Sequence, residues 1–234
     1  GQVETAARLQ LELPNLRASV GYSIELGRPD DAADLAWALL VFWWFGGYFS
    51  EVRVWMQDVL ANPAPASPHS VAVARFLTNW VSMWLNPTSA VAATFDEVRE
   101  AFRASADASG EALSTACLAF TRLALPEPDW GECRALFERA VAMFENAGDT
   151  WGAALALVGS GRLESLLGRE DLAAECYSRG GQLAREHSDT LATLITDHHI
   201  GRSQLFAGRL DAAERTFTAS VRLSAELGME GGVA

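Results

Sequence analysis

The chain has 234 residues, 50% hydrophobic and 21% charged, with a formal net charge of −12, a composition that suits a globular protein with ample material for a core. All 18 basic residues are Arg, which excludes chemistry that needs an ammonium group, such as a Walker lysine, a Schiff base or a Ser–Lys dyad. The acidic balance also argues against direct nucleic-acid binding, because that depends on basic side chains displacing counterions from phosphate.

Apolar residues at three- and four-residue spacing predict helices throughout, and no stretch alternates with period two. The first two, Val3–Leu11 and Leu16–Leu26, flank Pro14, whose ring and missing N–H oppose helix continuation. Asp31–Phe45 and Phe49–Ala61 follow, then a Pro-rich loop, Asn62–Pro68, read as lying within the array. The remaining helices are His69–Leu85, Ser89–Ala106, Glu111–Leu123, Asp129–Glu145, Thr150–Leu167, Asp171–His187, Thr190–Ala207 and Leu210–Leu227. Asp129, Asp149 and Asp189 are N-cap candidates, and Gly148, Gly168, Gly208 and Gly228 stand where helices should stop.

The most apolar segment, Leu35–Phe49, is interrupted by Gly46 and Gly47 and falls short of the ~20 residues that span a bilayer. It reads as a core helix and a turn, with no membrane partner. Gly1–Arg8 lacks the basic and apolar regions of a secretory signal. Cys117, Cys133 and Cys176 show no CxxC spacing and lie in apolar helical patterns. They read as small buried thiols in a reducing, cytoplasmic setting.

The helices repeat. Gly168 and Gly208, Ala173 and Ala213, and Tyr177 and Phe217 are each 40 residues apart, and a further step back of 40 gives Cys133 and Phe137. Ala140, Gly180 and Ser220 share a third, small position. A fourth unit needs a one-residue shift, to Thr94, Val98 and Ala101. Small residues let helix backbones approach while the large ones fill the gap between pairs. The expectation is an all-α superhelix of antiparallel helix pairs over residues 1–234 as one domain.

The unit GxLxxAxxxFxxA resembles the tetratricopeptide repeat, with a longer period than that family's 34. The stretch from Glu12 to Ala61 resembles the start of the helical sensor array in actinobacterial LuxR-type, SARP-type and MalT-like transcriptional regulators. The residues that carry this likeness are Asn15-Leu16-Arg17-Ala18, Leu35-Ala36, Phe42-Trp43, Gly47, Glu51, Arg53 and Trp55, while Pro14 and Val52 depart from the pattern. The resemblance implies a fragment of a longer regulator, whose ATPase and DNA-binding domains would be partners in the same parent chain. The closing MEGGVA, with no polar capping helix, fits an array that continues.

No convergent acid–base or nucleophile set is assembled, so the chain reads as non-catalytic and free of cofactors. Asp197-His198-His199 spells a manganese phosphoesterase signature, but adjacent helical residues diverge by about 100° and do not converge on one ion. The aromatic run from Trp37 to Trp55 reads as core, with Trp80 and Trp84 on one face packing between pairs. Arg122, Arg162 and Arg202 recur every 40 residues, each in the first helix of its unit, with His198 one turn before Arg202. By the family's repeat geometry these residues line the concave groove, where they would hold a protein segment or a small acidic effector. The alternative is pairing with internal carboxylates such as Asp197 or Glu164. Function then divides between a ligand- or protein-binding sensor domain of a regulator and a free-standing scaffold that binds a peptide.

Overall fold

The computed structural model describes residues 1–227. Gly228 and the closing MEGGVA, invoked above, lie outside them. All regular structure among the described residues is helical: α1 (Gln2–Glu25), α2 (Pro29–Ala38), α3 (Leu40–Phe45), α4 (Phe49–Ala61), α5 (Pro68–Trp80), α6 (Ser82–Leu85), α7 (Ser89–Ala104), α8 (Ala108–Leu123), α9 (Trp130–Ala147), α10 (Thr150–Leu166), α11 (Glu170–Glu186), α12 (Thr190–Phe206) and α13 (Leu210–Glu226).

Three boundaries differ from the sequence reading. Pro14 lies inside one continuous helix, α1. That helix is held on both sides of the proline, by Leu13 and Val20 in the core and by a bidentate Arg17–Glu51 pair at 2.7 and 2.9 Å to α4. The segment Asp31–Phe45 divides at Leu39, where the buried Trp43 indole donates to the Ala36 carbonyl at 3.0 Å. A bend at Val81 separates α5 from α6, so Trp80 is 1% exposed and Trp84 40% exposed rather than sharing a buried face. Cys176 is half-buried, whereas Cys117 and Cys133 are buried as expected.

From α7 onward each helix packs on the next, and close second-neighbour packing links α8 to α10 and α10 to α12. The odd-numbered helices α7, α9, α11 and α13 show no comparable approach among the described residues. Helices on the inside of a curved stack stand closer, so α8, α10 and α12 form its inner row. The knobs and holes are ring-on-glycine contacts. A Cβ at Gly110 would come 2.6 Å from the Phe102 ring, one at Gly152 would come 2.2 Å from Phe144, and one at Gly161 would come 2.3 Å from Tyr177. These positions are closed to any side chain.

The same contacts correct the register of the fourth unit. Phe102 and Phe144, Gly110 and Gly152, and the N-cap residues Asp107 and Asp149 are equivalent, and each pair is 42 residues apart. The buried positions of α7 are therefore Val91, Ala92, Phe95, Val98 and Phe102, while Thr94 and Ala101 are only half-buried.

Asp107, Asp129, Asp149 and Asp189 each accept a backbone N–H at the start of the next helix. The residue before three of these caps is left-handed: Gly148 at φ 68°, but also Ala106 at 58° and Ser188 at 52°. A side chain there costs about 1–2 kcal/mol. Ala106→Gly is expected to raise stability by about 0.5–1 kcal/mol, the rest being offset by the freer unfolded chain. A higher urea midpoint with unchanged slope checks it, and a lower midpoint would contradict the assigned turn.

The start of the chain returns to the far end of the array. Gln2 caps α12, its Oε1 accepting from Thr190 N at 2.7 Å and its Nε2 donating to Asp189 Oδ1 at 3.1 Å. Trp44 meets Trp151 at the start of α10, with ring centroids 5.2 Å apart. Among the described residues no helix is long and apolar enough to cross a membrane.

Candidate functional site

Counting from the aspartate caps sorts the three arginines. Arg162 and Arg202 each stand 13 residues after their N-cap, Asp149 and Asp189. In α8 the same place, 13 after Asp107, belongs to Phe120, and Arg122 is two residues further on. Two residues turn the side chain by about 200°, which sends Arg122 to the outside to pair with Glu132 of α9. The inner ladder therefore runs Phe120, Arg162, Arg202, and Arg122 is not part of it.

The internal carboxylates named as alternative partners are occupied elsewhere. Glu164, 3% exposed, pairs with Arg134 and lies 3.5 Å from Arg169. Asp197 lies 3.6 Å from Arg185. Neither Arg162 nor Arg202 has a carboxylate within 4.0 Å among the described residues.

Arg162 instead sits among rings. Its guanidinium carbon is 5.7 Å from the Trp84 centroid and 5.9 Å from that of Phe120, and Arg202 lies 6.0 Å from Phe206. These are cation–π distances. Trp84 and Phe206 are 40% and 73% exposed, so each guanidinium has an open aromatic neighbour. Gly161 serves the ladder indirectly, leaving room for the Tyr177 ring that backs it.

The neighbouring titratable groups record a positive, partly desolvated patch. Burial first, then the Arg202 charge, holds the Arg162 guanidinium below its ordinary range. His199 stacks on Tyr177 with centroids 5.2 Å apart. Burial, followed by the fields of His198, Arg162 and Arg202, brings its imidazole down to about 3. His198 is exposed, 5.2 Å from His199, and is lowered by desolvation and by Arg202. Burial raises the Tyr177 phenol, against the pull of Arg202 and Arg162. Two cations, neutral imidazoles and a protonated phenol together offer hydrogen-bond donors to an anion. Three His, Cys, Asp or Glu side chains placed to hold a metal occur nowhere among the described residues.

No family model matches the chain, and no curated protein matches its sequence. Among solved structures it is similar to BtubC (BKLC) from P. vanneervenii, with 17% identity and a TM-score of 0.57 over 98% of this chain and 89% of that one. That likeness shows the helical fold alone.

Sequence spacing brought Arg162, Arg202 and His198 to the site but missed Trp84, Phe120, Tyr177 and His199. The signal for Phe120 was available in its distance from Asp107. Trp84 was hidden because its exposure depends on the bend at Val81.

Proposed function

We propose that this chain is a non-catalytic binding module whose inner row takes an acidic ligand, and that it serves as the sensor or interaction array of a transcriptional regulator of the LuxR, SARP or MalT-like kind. One observation carries the ligand part: Arg162 and Arg202 stand at equivalent places on adjacent inner helices, without a carboxylate partner among the described residues. Like charges in register repel, and the rings of Trp84, Phe120 and Phe206 beside them carry no negative charge to neutralise them. A carboxylate or phosphate placed between them relieves that repulsion with charge-assisted hydrogen bonds.

The regulator part rests on the resemblance over Glu12–Ala61, whose residues pair in space. Arg17 binds Glu51, and Trp43 packs edge-on to Trp55 with centroids 5.6 Å apart. In such a parent, ligand binding would bias the ATPase by differential affinity for its two states. The exposed Trp84 and Phe206 favour a scaffold role as the second reading, since they suit a peptide with apolar side chains beside its acidic ones.

Titration with a short poly-glutamate peptide and with citrate, followed by calorimetry, tests the ligand reading. Arg162→Ala or Arg202→Ala is expected to weaken binding by roughly 1.5–3 kcal/mol, the range for hydrogen bonds to charged groups, and Arg122→Ala to leave it unchanged. Equal losses from all three variants would point to bulk charge and overturn the site. A parent reading frame without a P-loop domain or a helix-turn-helix would remove the regulator reading and leave the scaffold.

A further inference from the structure

The described residues leave a second place open, and its chemistry is the opposite of the arginine ladder. A cavity of ≈ 280 Å³ lies between the first half of α1, the α2–α3 elbow and α12, with Ala6, Leu9, Val41, Phe42, Phe45 and Leu191 among its walls. Its polar members are Gln2, Thr5 and Gln10, and no charged side chain lines it among the described residues. In a chain that is 21% charged, a lining without charge selects against ions, because an ion there would lose its hydration without gaining a partner. Ligand sites in helical proteins commonly have this form, apolar walls with a few fixed polar groups between helices.

The polar groups are held in place. Gln2 is fixed by its bonds to the start of α12, and Gln10 donates to the Tyr48 hydroxyl at 2.8 Å. The wall formed by α1 is thin. Val3, Ala6 and Leu9 form its inward stripe and all are half-buried, and Pro14 interrupts the hydrogen-bond ladder behind them. The first half of α1 therefore meets α12 through little more than Gln2 and a few small apolar contacts.

We infer that this cavity binds an uncharged, mostly apolar small molecule of two to three fused rings, which fastens the first half of α1 to the far end of the array. The site is independent of Arg162 and Arg202. A molecule seated here touches α1, α3 and α12 at once, so its binding energy closes the chain end to end. Its hydrogen-bonding group meets the amides of Gln2 and Gln10.

The test uses the full chain and the neutral dye 1-aminoanthracene, read by fluorescence enhancement, beside anthracene-2-carboxylate as a charged analogue of similar shape. The expected result is saturable uptake of the neutral dye and binding of the carboxylate weaker by roughly tenfold or more. Ala6→Phe, which fills the space, should abolish uptake with the circular dichroism spectrum retained. Ala38→Phe, on the exposed rim, serves as a second filling variant should the first fail to fold. Arg162→Ala should leave dye uptake unchanged. Equal binding of both dyes, or uptake insensitive to both filled variants, overturns the proposal. Uptake by a chain ended at Leu227 but not by the full chain would assign the space to residues 228–234 and overturn it equally.

Discussion

Phe102→Ala and Phe144→Ala are each expected to lower the free energy of unfolding by about 3–5 kcal/mol, the usual cost of emptying a buried phenylalanine site. Both rings are fully buried, at 0% and 1% exposure. Each lies over a glycine eight residues further on, Gly110 or Gly152, with no room between ring and backbone. Removing the ring opens a cavity that its walls fill poorly, since the opposing backbone carries no side chain to move in. Thr94→Ala, in the same helix as Phe102 but half-buried, should cost under about 1 kcal/mol. Chemical denaturation of the three variants separates the registers. A large loss at Thr94 with a small one at Phe102 would restore the spacing of Thr94, Val98 and Ala101 and overturn the equivalence of Phe102 with Phe144.

That register shows where sequence reasoning ends. Helices Asp129 onward were legible because their repeat is uniform: Ala173 and Ala213, Gly168 and Gly208 and the caps Asp149 and Asp189 are each 40 residues apart. The α8 cap Asp107 stands 22 residues before the α9 cap Asp129, against 20 from the α10 cap Asp149 to the α11 cap Arg169, so matching small and large side chains alone chose the wrong alignment. A cap is a better ruler than a side-chain size, because Asp107 marks the physical start of α8 through its bond to Gly110 N at 2.8 Å. The same error placed Arg122 in the ladder. The continuity of α1 through Pro14, the break at Leu39 and the bend at Val81 were not legible for a different reason. The first is tied to a distant partner, Glu51 for Arg17, and the second to the Trp43 bond back across the break to the Ala36 carbonyl. The third is tied to rings from elsewhere in the chain, Trp44 against Trp80 and Phe120 against Trp84; local propensity is a weak guide against these.

Acidification is expected to destabilise the wild-type chain relative to His199→Phe, and the gap should widen by about 1.4 kcal/mol for each pH unit below the ordinary imidazole range. In the folded chain burial and the charges of His198, Arg162 and Arg202 hold His199 at about 3. In the unfolded chain it titrates near 6.5. Between those values the unfolded state binds the extra proton, so stability falls as pH falls. The contribution is complete above pH 6.5 and is lost progressively toward pH 3. Between pH 7 and 4.5 the gap amounts to about 2–3 kcal/mol, or several degrees in Tm for a chain of this size. Asp149 and Asp197, both raised by burial, act in the opposite sense near their own range, but they are common to both proteins and cancel in the comparison. Phenylalanine keeps a ring against Tyr177, so the difference reports the imidazole rather than lost packing. Arg202→Ala should narrow the gap, because one of the charges that disfavour protonation is gone. A gap that stays constant with pH would mean that His199 titrates as an ordinary histidine. The two guanidinium groups would then not focus their field on this face of α12, and the inner row would lose its claim to be an anion site.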